Sequence, residues 1–400
     1  MTQPTPDISG GAAPTRATRN PRSPLAKGVR PNGNAKVLPE HTRSHHRSLI
    51  LRTLYREGAM SRADLSRATG LTRVSISDLV ASLIDDSLVV EKGISSESRP
   101  GKPSIQLDID YGAHQIIGLD ISRAQQMVGR IVTLAGETIS EETRSLDSSD
   151  PARSVDAVID FARELVSSAS SPVLGIGIGS PGIVTADGVI QAAPNLGWEK
   201  LALRDRVSEA TGLPVIVAND ANAAVYAEYT LKDDLTDLML VKIGKGVGAG
   251  VIAAGQPIYG SRSAAGELGH VVVGTDGGPV CACGRTSCLE AWISVPALTK
   301  RLAGINGPDA ATTREAVLRD AGRRLGIVLA PVVAAFDLAE IVISGPSELF
   351  DGVFTASAVE TLHHRSHFHA QTTVRMTTHG EDIVLQGAAT MVFLNLLQLL

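Results

Sequence analysis

All three cysteines of the chain fall within eight residues, in the run Cys281-Ala282-Cys283-Gly284-Arg285-Thr286-Ser287-Cys288. Three thiols cannot all pair as disulfides, and a tight cysteine cluster in a chain without other cysteines points to metal before it points to crosslinks. An imidazole stands ready at His270, giving the pattern His270-x10-Cys281-x-Cys283-x4-Cys288. Three soft sulfurs and one nitrogen suit tetrahedral structural zinc. The spacing therefore predicts a Zn2+ ion held by His270, Cys281, Cys283 and Cys288, with the loop around it fixed in place.

Four hundred residues leave room for two or three domains around such a knot. The net charge of -5 conceals an asymmetry. Residues 1–43 carry a net of +5, residues 44–110 are neutral, and residues 111–400 carry -10. An acidic globule is a poor surface for nucleic acid, whereas the N-terminal part can meet a polyanion. Residues 1–43 also hold seven prolines and little apolar periodicity, which predicts a disordered basic tail. No segment has the length and apolarity of a membrane span, and the N-terminus lacks the apolar core of a secretory signal, so a cytoplasmic protein is expected.

From residue 44 to 110 the pattern is that of a winged helix-turn-helix. Leu49, Ile50, Leu51 and Leu54 form an apolar stripe that stops at Gly58. Ser61-Arg62-Ala63-Asp64 is a variant capping box that opens a second helix, closed by Gly70. A third helix follows from Leu71-Thr72, with Val74, Ile76, Leu79, Val80 and Leu83 as its apolar positions. Two alternating segments, Leu88–Lys92 and Ser104–Asp108, then flank a basic, proline-containing tip, as in a β-hairpin wing. The third helix would read double-stranded DNA through Thr72, Arg73, Ser75 and Ser77, with Arg73 the long donor suited to guanine. Arg99 and Lys102 at the wing tip would enter a minor groove. One such module binds weakly, so a homodimer or homotetramer on a two-fold site is expected.

Beyond Gln115 strands and helices alternate. Ile116–Asp120, Gln126–Leu134, Val173–Gly179, Val215–Asp220, Leu238–Ile243 and Gly250–Ala254 have the apolar character of strands, and 151–167 and Asn222–Tyr229 that of helices. This is a large α/β domain over residues 111–400.

Six motifs in this domain, in order, resemble those of the ROK family of sugar-responsive repressors and sugar kinases. They are Gly179-Ser180-Pro181-Gly182, Pro194-Asn195-Leu196-Gly197-Trp198, Val217–Asn222, Gly244–Gly250, Gly266-Glu267-Leu268-Gly269-His270 and Cys281–Glu290. With its winged head, the chain is similar to the NagC/XylR-type regulators of that family over about residues 45–400. The resemblance implies an actin-like (ribonuclease H-like) two-lobed fold with a sugar in the cleft. The first lobe would span about 111–230 plus a C-terminal helix at about 381–400. The second lobe, about 231–380, would carry the zinc site. Carried over position by position, Asn195, Asn219, Asp220, Glu267, His270 and Glu290 would bind the sugar. Carboxylates accept from vicinal hydroxyls, and an asparagine amide both donates and accepts. His270 could hold zinc with one ring nitrogen and face the sugar with the other.

Two departures separate the chain from the kinases of that family. Where they carry an Asp-x-Gly-Gly-Thr phosphate cradle, this chain has Asp120-Ile121-Ser122-Arg123-Ala124, and Lys245 stands where the second phosphate loop has threonine. Backbone N–H groups reach a phosphate only where no side chain intervenes. Asp220, the general base of a kinase, is then a vestigial base retained as a sugar ligand. Ser287 also replaces a glycine before the third cysteine, which predicts local strain. The sequence therefore implies a sugar-responsive DNA-binding repressor of carbohydrate uptake or metabolism genes, without kinase activity. Two alternatives are an active sugar kinase with a DNA-binding head and a sugar-blind regulator answering to a protein partner. The apolar chain end, Phe393–Leu400, would serve the protein contact in the second case.

Overall fold

The computed structural model describes residues 39–94, 104–231, 236–274, 277–366 and 371–398. Residues Arg43–Leu400 form a single compact unit. Residues 1–38 of the expected disordered tail, and the wing tip that bears Arg99 and Lys102, lie outside the described residues; residues 39–43 are not disordered as expected but open the first helix.

The head is built as its pattern predicts. Helix α1 (Pro39–Glu57) leads through β1 (Met60–Ser61) into α2 (Arg62–Thr69) and α3 (Arg73–Asp85), followed by β2 (Val89–Ile94) and β3 (Ile105–Ile109). The three strands form an antiparallel sheet in the order β1-β3-β2. The capping box is present: the Asp64 N–H donates to Ser61 Oγ at 3.2 Å, and the Ser61 N–H donates to Asp64 Oδ2 at 3.3 Å. Gly70 ends α2 with φ +72°, a left-handed conformation that costs glycine nothing. Ile50, Leu54, Leu65, Ile76, Val80, Leu83 and Leu107 are fully buried between the helices and the sheet. Val74 is not among them. It is 72% exposed, because position 74 turns with Arg73, Ser77 and Asp78 to the side of α3 opposite Ile76, Leu79, Val80 and Leu83.

The remainder forms two lobes of the same topology. In the first, β4 (Gln115–Asp120), β5 (Gln126–Thr133) and β6 (Thr138–Ser145) make an antiparallel meander. Helix α4 (Pro151–Ser168) leads to β7 (Val173–Ser180). A small sheet of β8 (Ile183–Val184), β9 (Ile190–Ala193) and β10 (Trp198–Leu201) follows, then α5 (Leu203–Thr211), β11 (Val215–Asn219) and α6 (Asp220–Tyr229). The second lobe repeats the plan. Its meander is β12 (Leu238–Ile243), β13 (Val247–Ala253) and β14 (Gln256–Pro257), and its helices α7 (Leu289–Ile293), α8 (Val295–Leu302) and α9 (Ala310–Phe336) precede β15 (Glu340–Ser344). Helices α10 (Ser347–Phe350) and α11 (Val353–Arg365) then lead to β16 (Thr373–Met376) and α12 (Ile383–Leu396).

The main sheets run β6-β5-β4-β7-β11 and β14-β13-β12-β15-β16, each an antiparallel triplet extended by two parallel strands. This duplicated sheet is the two-lobed, actin-like arrangement that the motifs implied. Strand β13 begins at Val247, three residues before the expected start, because it pairs with β12 through the turn at Gly244–Gly246. Strand β6 gave no sequence signal because most of its side chains are exposed.

Helix α12 returns to the first lobe and packs on β4, β7 and α6. The approach is at backbone distance. A Cβ on Gly177 would lie 1.9 Å from the Ala388 carbonyl oxygen, and one on Gly387 would lie 1.9 Å from that of Ala223. The far end of α12 meets the head: the Phe393 and Tyr55 rings stack edge-to-face at 5.3 Å. Arg52 donates to the Gln398 carbonyl at 2.8 Å, and Gln398 donates to Ser44 at 3.2 Å. Met391, Val392, Phe393, Leu394 and Leu397 are thus buried within the chain. The apolar chain end, which only the sugar-blind alternative assigned to a protein partner, packs internally between the first lobe and α1.

A buried ionic cluster joins α6 to the second lobe. Glu228 is fully buried and accepts from Arg375 Nη2 at 2.6 Å and from the Thr377 hydroxyl, while Arg375 Nε donates to Glu340 at 2.7 Å. The two carboxylates share one guanidinium, and every oxygen named has a donor.

Candidate sugar cleft and metal loop

The first-lobe wall of the cleft is the junction of β11 and α6. Asn219 caps α6, its Oδ1 accepting from the N–H groups of Ala221 (2.9 Å) and Asn222 (3.2 Å), while its Nδ2 donates to the Gly182 carbonyl at 2.9 Å. Gly182 in turn lies against β9, where a Cβ would sit 2.1 Å from the Ala192 carbonyl oxygen. The turns bearing Gly182 and Asn219 therefore meet beside the β9 strand that leads to Asn195. Asn195 itself is exposed on the 3-10 turn Pro194–Leu196.

Asp220 opens α6. Its Oδ1 accepts from the Ala221 N–H at 2.9 Å, and its Oδ2 accepts from Lys242 Nζ at 2.8 Å. Sequence reasoning missed Lys242. The signal was there, since a lysine inside the apolar strand Leu-Met-Leu-Val-Lys-Ile is buried only when paired. Burial pulls the pKa of the Lys242 ammonium down, but Asp220, Asp120 and a hydrogen bond outweigh it and hold it above the ordinary lysine value. The lysine stays charged and stays on Asp220.

The loop after β4 is closed by its own side chains. Asp120 is 1% exposed, and its Oδ1 accepts from the N–H (2.9 Å) and hydroxyl (2.7 Å) of Ser122. Its Oδ2 accepts from Arg123 Nε at 2.9 Å. Arg123 continues outward to Asp382 Oδ1 at 3.0 Å and to the Glu381 carbonyl at 3.2 Å, at the start of α12. Arg130 of β5 grips the other oxygen of Asp382.

The second-lobe wall carries Glu267, His270 and Glu290. Gly266 (φ +91°) and Gly269 let this segment lie on β13, since a Cβ at either would strike the Ala249 or Val247 carbonyl oxygen at 1.8 or 2.3 Å. Burial raises the pKa of the Glu267 carboxyl, Asp220 and Glu290 add to the rise, and His270 opposes it. Asp220, His270 and Glu290 therefore each lie within electrostatic reach of Glu267. Glu290 Oε2 accepts from the Val247 N–H at 3.1 Å, and the Cys281 thiol faces its Oε1 at 3.6 Å. A Cβ on Gly246 would lie 2.7 Å from Glu290 Oε2, and one on Gly250 would lie 2.3 Å from the Ala221 carbonyl oxygen. Two glycines of the second phosphate loop thus have packing reasons that involve no phosphate.

Glu290 sits beside the candidate metal ligands. One ligand atom each from His270, Cys281, Cys283 and Cys288 falls within 4.8 Å of the others, and all three thiols are free. His270 Nδ1 is 3.7 Å from Cys281 Sγ, and Cys283 Sγ is 3.6 Å from Cys288 Sγ. A tetrahedron of thiolates about 2.3 Å from zinc has edges of about 3.8 Å, so the donor set fits a metal in both chemistry and size. Ser287 takes φ +62°, the left-handed strain expected of it, and its hydroxyl donates to the Gly277 carbonyl.

The sequence profile of the ROK family matches residues 116–394, across both lobes and the cleft between them. The chain belongs to the ROK family. It is 30% identical over 262 residues to the xylose repressor of Bacillus subtilis, an alignment covering 64% of this chain and 67% of that protein. The structure of a ROK family transcriptional regulator described as a homolog of the E. coli MLC protein superposes with a TM-score of 0.77 at 25% identity. That match covers 90% of this chain and 98% of the other. A ROK family glucokinase from Streptomyces griseus, solved with glucose and AMPPNP, matches with a TM-score of 0.59 at 25% identity, covering 69% of this chain and 98% of its own. The glucokinase is thus matched almost whole by about two thirds of this chain, whereas the regulator match extends over nine tenths of it.

In this ROK protein the residues expected to read DNA are arranged unequally. Arg73 and Ser77 are exposed on α3. Thr72 is the N-cap, its Oγ1 accepting from the Ser75 N–H at 3.2 Å and pairing with the Ser75 hydroxyl at 2.9 Å. Both hydroxyls are engaged in starting the helix. No helix among the described residues is long and apolar enough to cross a membrane.

Proposed function

We propose that this ROK protein is a sugar-responsive, DNA-binding transcriptional repressor of carbohydrate genes and that it does not phosphorylate its sugar. The observation that carries the reading is the pairing of a winged helix-turn-helix head with a cleft whose first phosphate loop is folded onto Asp120 by Ser122 and Arg123. A phosphoryl-transfer enzyme works by positioning phosphates on free backbone N–H groups and metal, and these are what a closed loop withholds. Asp220, with Lys242 on one oxygen and the α6 backbone on the other, is a fixed acceptor for sugar hydroxyls and a poor candidate for a mobile base.

Asp220, Glu267, His270 and Glu290 would form the sugar site, with Asn219 holding the α6 turn and Asn195 at its rim. His270, Cys281, Cys283 and Cys288 would hold zinc, which fixes the imidazole and the segment carrying Glu290. The first sugar to test is D-xylose, since relatives named xylose repressors align with 64% to 80% of this chain. Helix α12 supports a route from sugar to DNA. It begins at Arg123 and Asp382, lies along α6, and ends on Tyr55 and Arg52 of α1. A sugar that prefers one arrangement of the lobes would shift the head through this helix by no more than its differential affinity. A homodimer on a two-fold operator would convert that shift into a change in spacing of two reading helices.

The test is fluorescence anisotropy of the metal-loaded full chain on duplex DNA from upstream of its own gene, titrated with a panel of sugars at fixed salt. Expected is specific binding that one sugar changes by about fivefold or more. DNA binding untouched by any sugar would sink the sensor reading. Steady ADP release with any sugar and ATP would sink the non-enzymatic part alone.

A further inference from the structure

The exposed side of α3 is a single stripe of Arg73, Val74, Ser77, Asp78 and Ala81, facing away from Ile76, Leu79, Val80 and Leu83. Val74 is the chemical outlier in it. At 72% exposure, no large apolar side chain among the described residues is more exposed, and it stands in the first turn of the reading helix. A lone apolar residue on a protein surface is ordinary, so exposure alone says little. Position says more. In a recognition helix the N-terminal turn touches base edges. In this turn the Thr72 and Ser75 hydroxyls bond to each other and to the helix backbone. Arg73 and Val74 are then the side chains of residues 72–75 left to meet a base. The major-groove feature that rewards an apolar side chain is the 5-methyl group of thymine.

We propose that Val74 is a specificity-determining residue of the operator contact, its isopropyl group packing on the 5-methyl of a thymine beside the base read by Arg73. The assignment rests on the DNA-binding reading of the head. It gives each half-site a required thymine that a hydrogen-bonding census of α3 would overlook. Removing the methyl leaves every hydrogen bond of the base pair in place, so uracil isolates the contact.

The experiment begins with selection of duplexes from a random library by the full-length protein. Each thymine of the enriched sequence is then replaced in turn by deoxyuridine, and binding is measured for wild type and Val74→Ala. For wild type, one thymine per half-site should lose about threefold to tenfold in affinity on losing its methyl. Val74→Ala should bind the thymine and uracil duplexes alike, and Ser77→Ala should keep the wild-type methyl dependence. Circular dichroism checks that the variants are folded, which an exposed helical site should allow. An enriched sequence with no methyl dependence at any thymine overturns the assignment while leaving the regulator intact, as does a Val74→Ala variant that keeps the dependence. A library from which no sequence is enriched overturns the DNA-binding reading and this inference together.

Discussion

Arg123 and Asp382 are joined by a 3.0 Å hydrogen bond across 259 positions of sequence, tying the loop that a kinase would use for phosphate to the first residues of the C-terminal helix. The bond places the loop after β4 at one end of α12, whose other end meets the helix-turn-helix head. Arg123→Ala should keep sugar affinity and DNA affinity each within about threefold of wild type, while the effect of sugar on DNA binding falls to about twofold or less. Calorimetry with sugar and anisotropy with DNA, done on the same preparation, measure the three quantities. Coupling that survives intact would show that α12 is not steered from this end.

Asp220→Asn keeps the shape of the side chain and removes its charge. A lost hydrogen bond to a charged acceptor costs about 1.5–3 kcal/mol, so sugar affinity should fall about tenfold to a hundredfold. Lys242 loses its partner, but its side chain is 24% exposed and can be hydrated, so the fold should survive. DNA affinity without sugar should be unchanged. Calorimetric titration decides the point, and wild-type affinity in the variant would remove Asp220 from the sugar site.

Cys283 is the exposed member of the cysteine set, so its replacement tests metal binding with little cost to packing. Cys283→Ser should lower zinc affinity at least tenfold to a hundredfold, the loss seen when even outer partners of a metal site are changed. Competition with a chromogenic chelator reads this directly. Sugar affinity should fall with it, because the loop that presents His270 and Glu290 is no longer tied. A variant that retains full zinc content would show that the metal, if bound, sits elsewhere.

Acid stability has a identifiable contributor in Asp320, which accepts from Arg301, Arg324 (each 2.9 Å) and Arg323 (2.9 Å). Burial pushes its pKa up, but the three arginines outweigh burial and hold it below the ordinary aspartate value. A depressed folded-state pKa means the stabilisation is present above the unfolded value and is lost as pH falls through the folded one. Asp320→Asn should therefore lower the melting temperature at pH 7 and flatten its fall below about pH 4. Parallel melting curves for variant and wild type throughout the acid range would exclude the contribution.

The legible parts of this chain were those written in local or closely spaced residues. The capping box at Ser61 and Asp64, the glycine stop at Gly70 and the strand at Ile116–Asp120 follow from propensities and period, and the structure has each of them. The clustering of His270, Cys281, Cys283 and Cys288 was legible because a short stretch of chain can bring its own donors together. Helices α9 and α11 were not, because their burial depends on each other: Gly322 and Gly326 let them cross with a would-be Cβ 2.1 and 2.6 Å from the Phe354 and Ala358 carbonyl oxygens.

By itself the sequence determined the ordering of head and two-lobed domain, the donor set for a metal, and the loss of the phosphate-loop glycines. Each of these is a matter of residue identity at neighbouring positions. Tertiary structure alone decided where the loop after β4 is anchored. Arg123 and Asp382, and likewise Asp220 and Lys242, are charges whose meaning depends on partners 259 and 22 positions away. It decided also that Val74 faces outward and that Phe393 packs on Tyr55, since a shift of one residue, about 100° around a helix, exchanges a buried position for an exposed one. Periodicity assigns a face to a helix, but only the packing of the whole chain says which faces are left for solvent and for DNA.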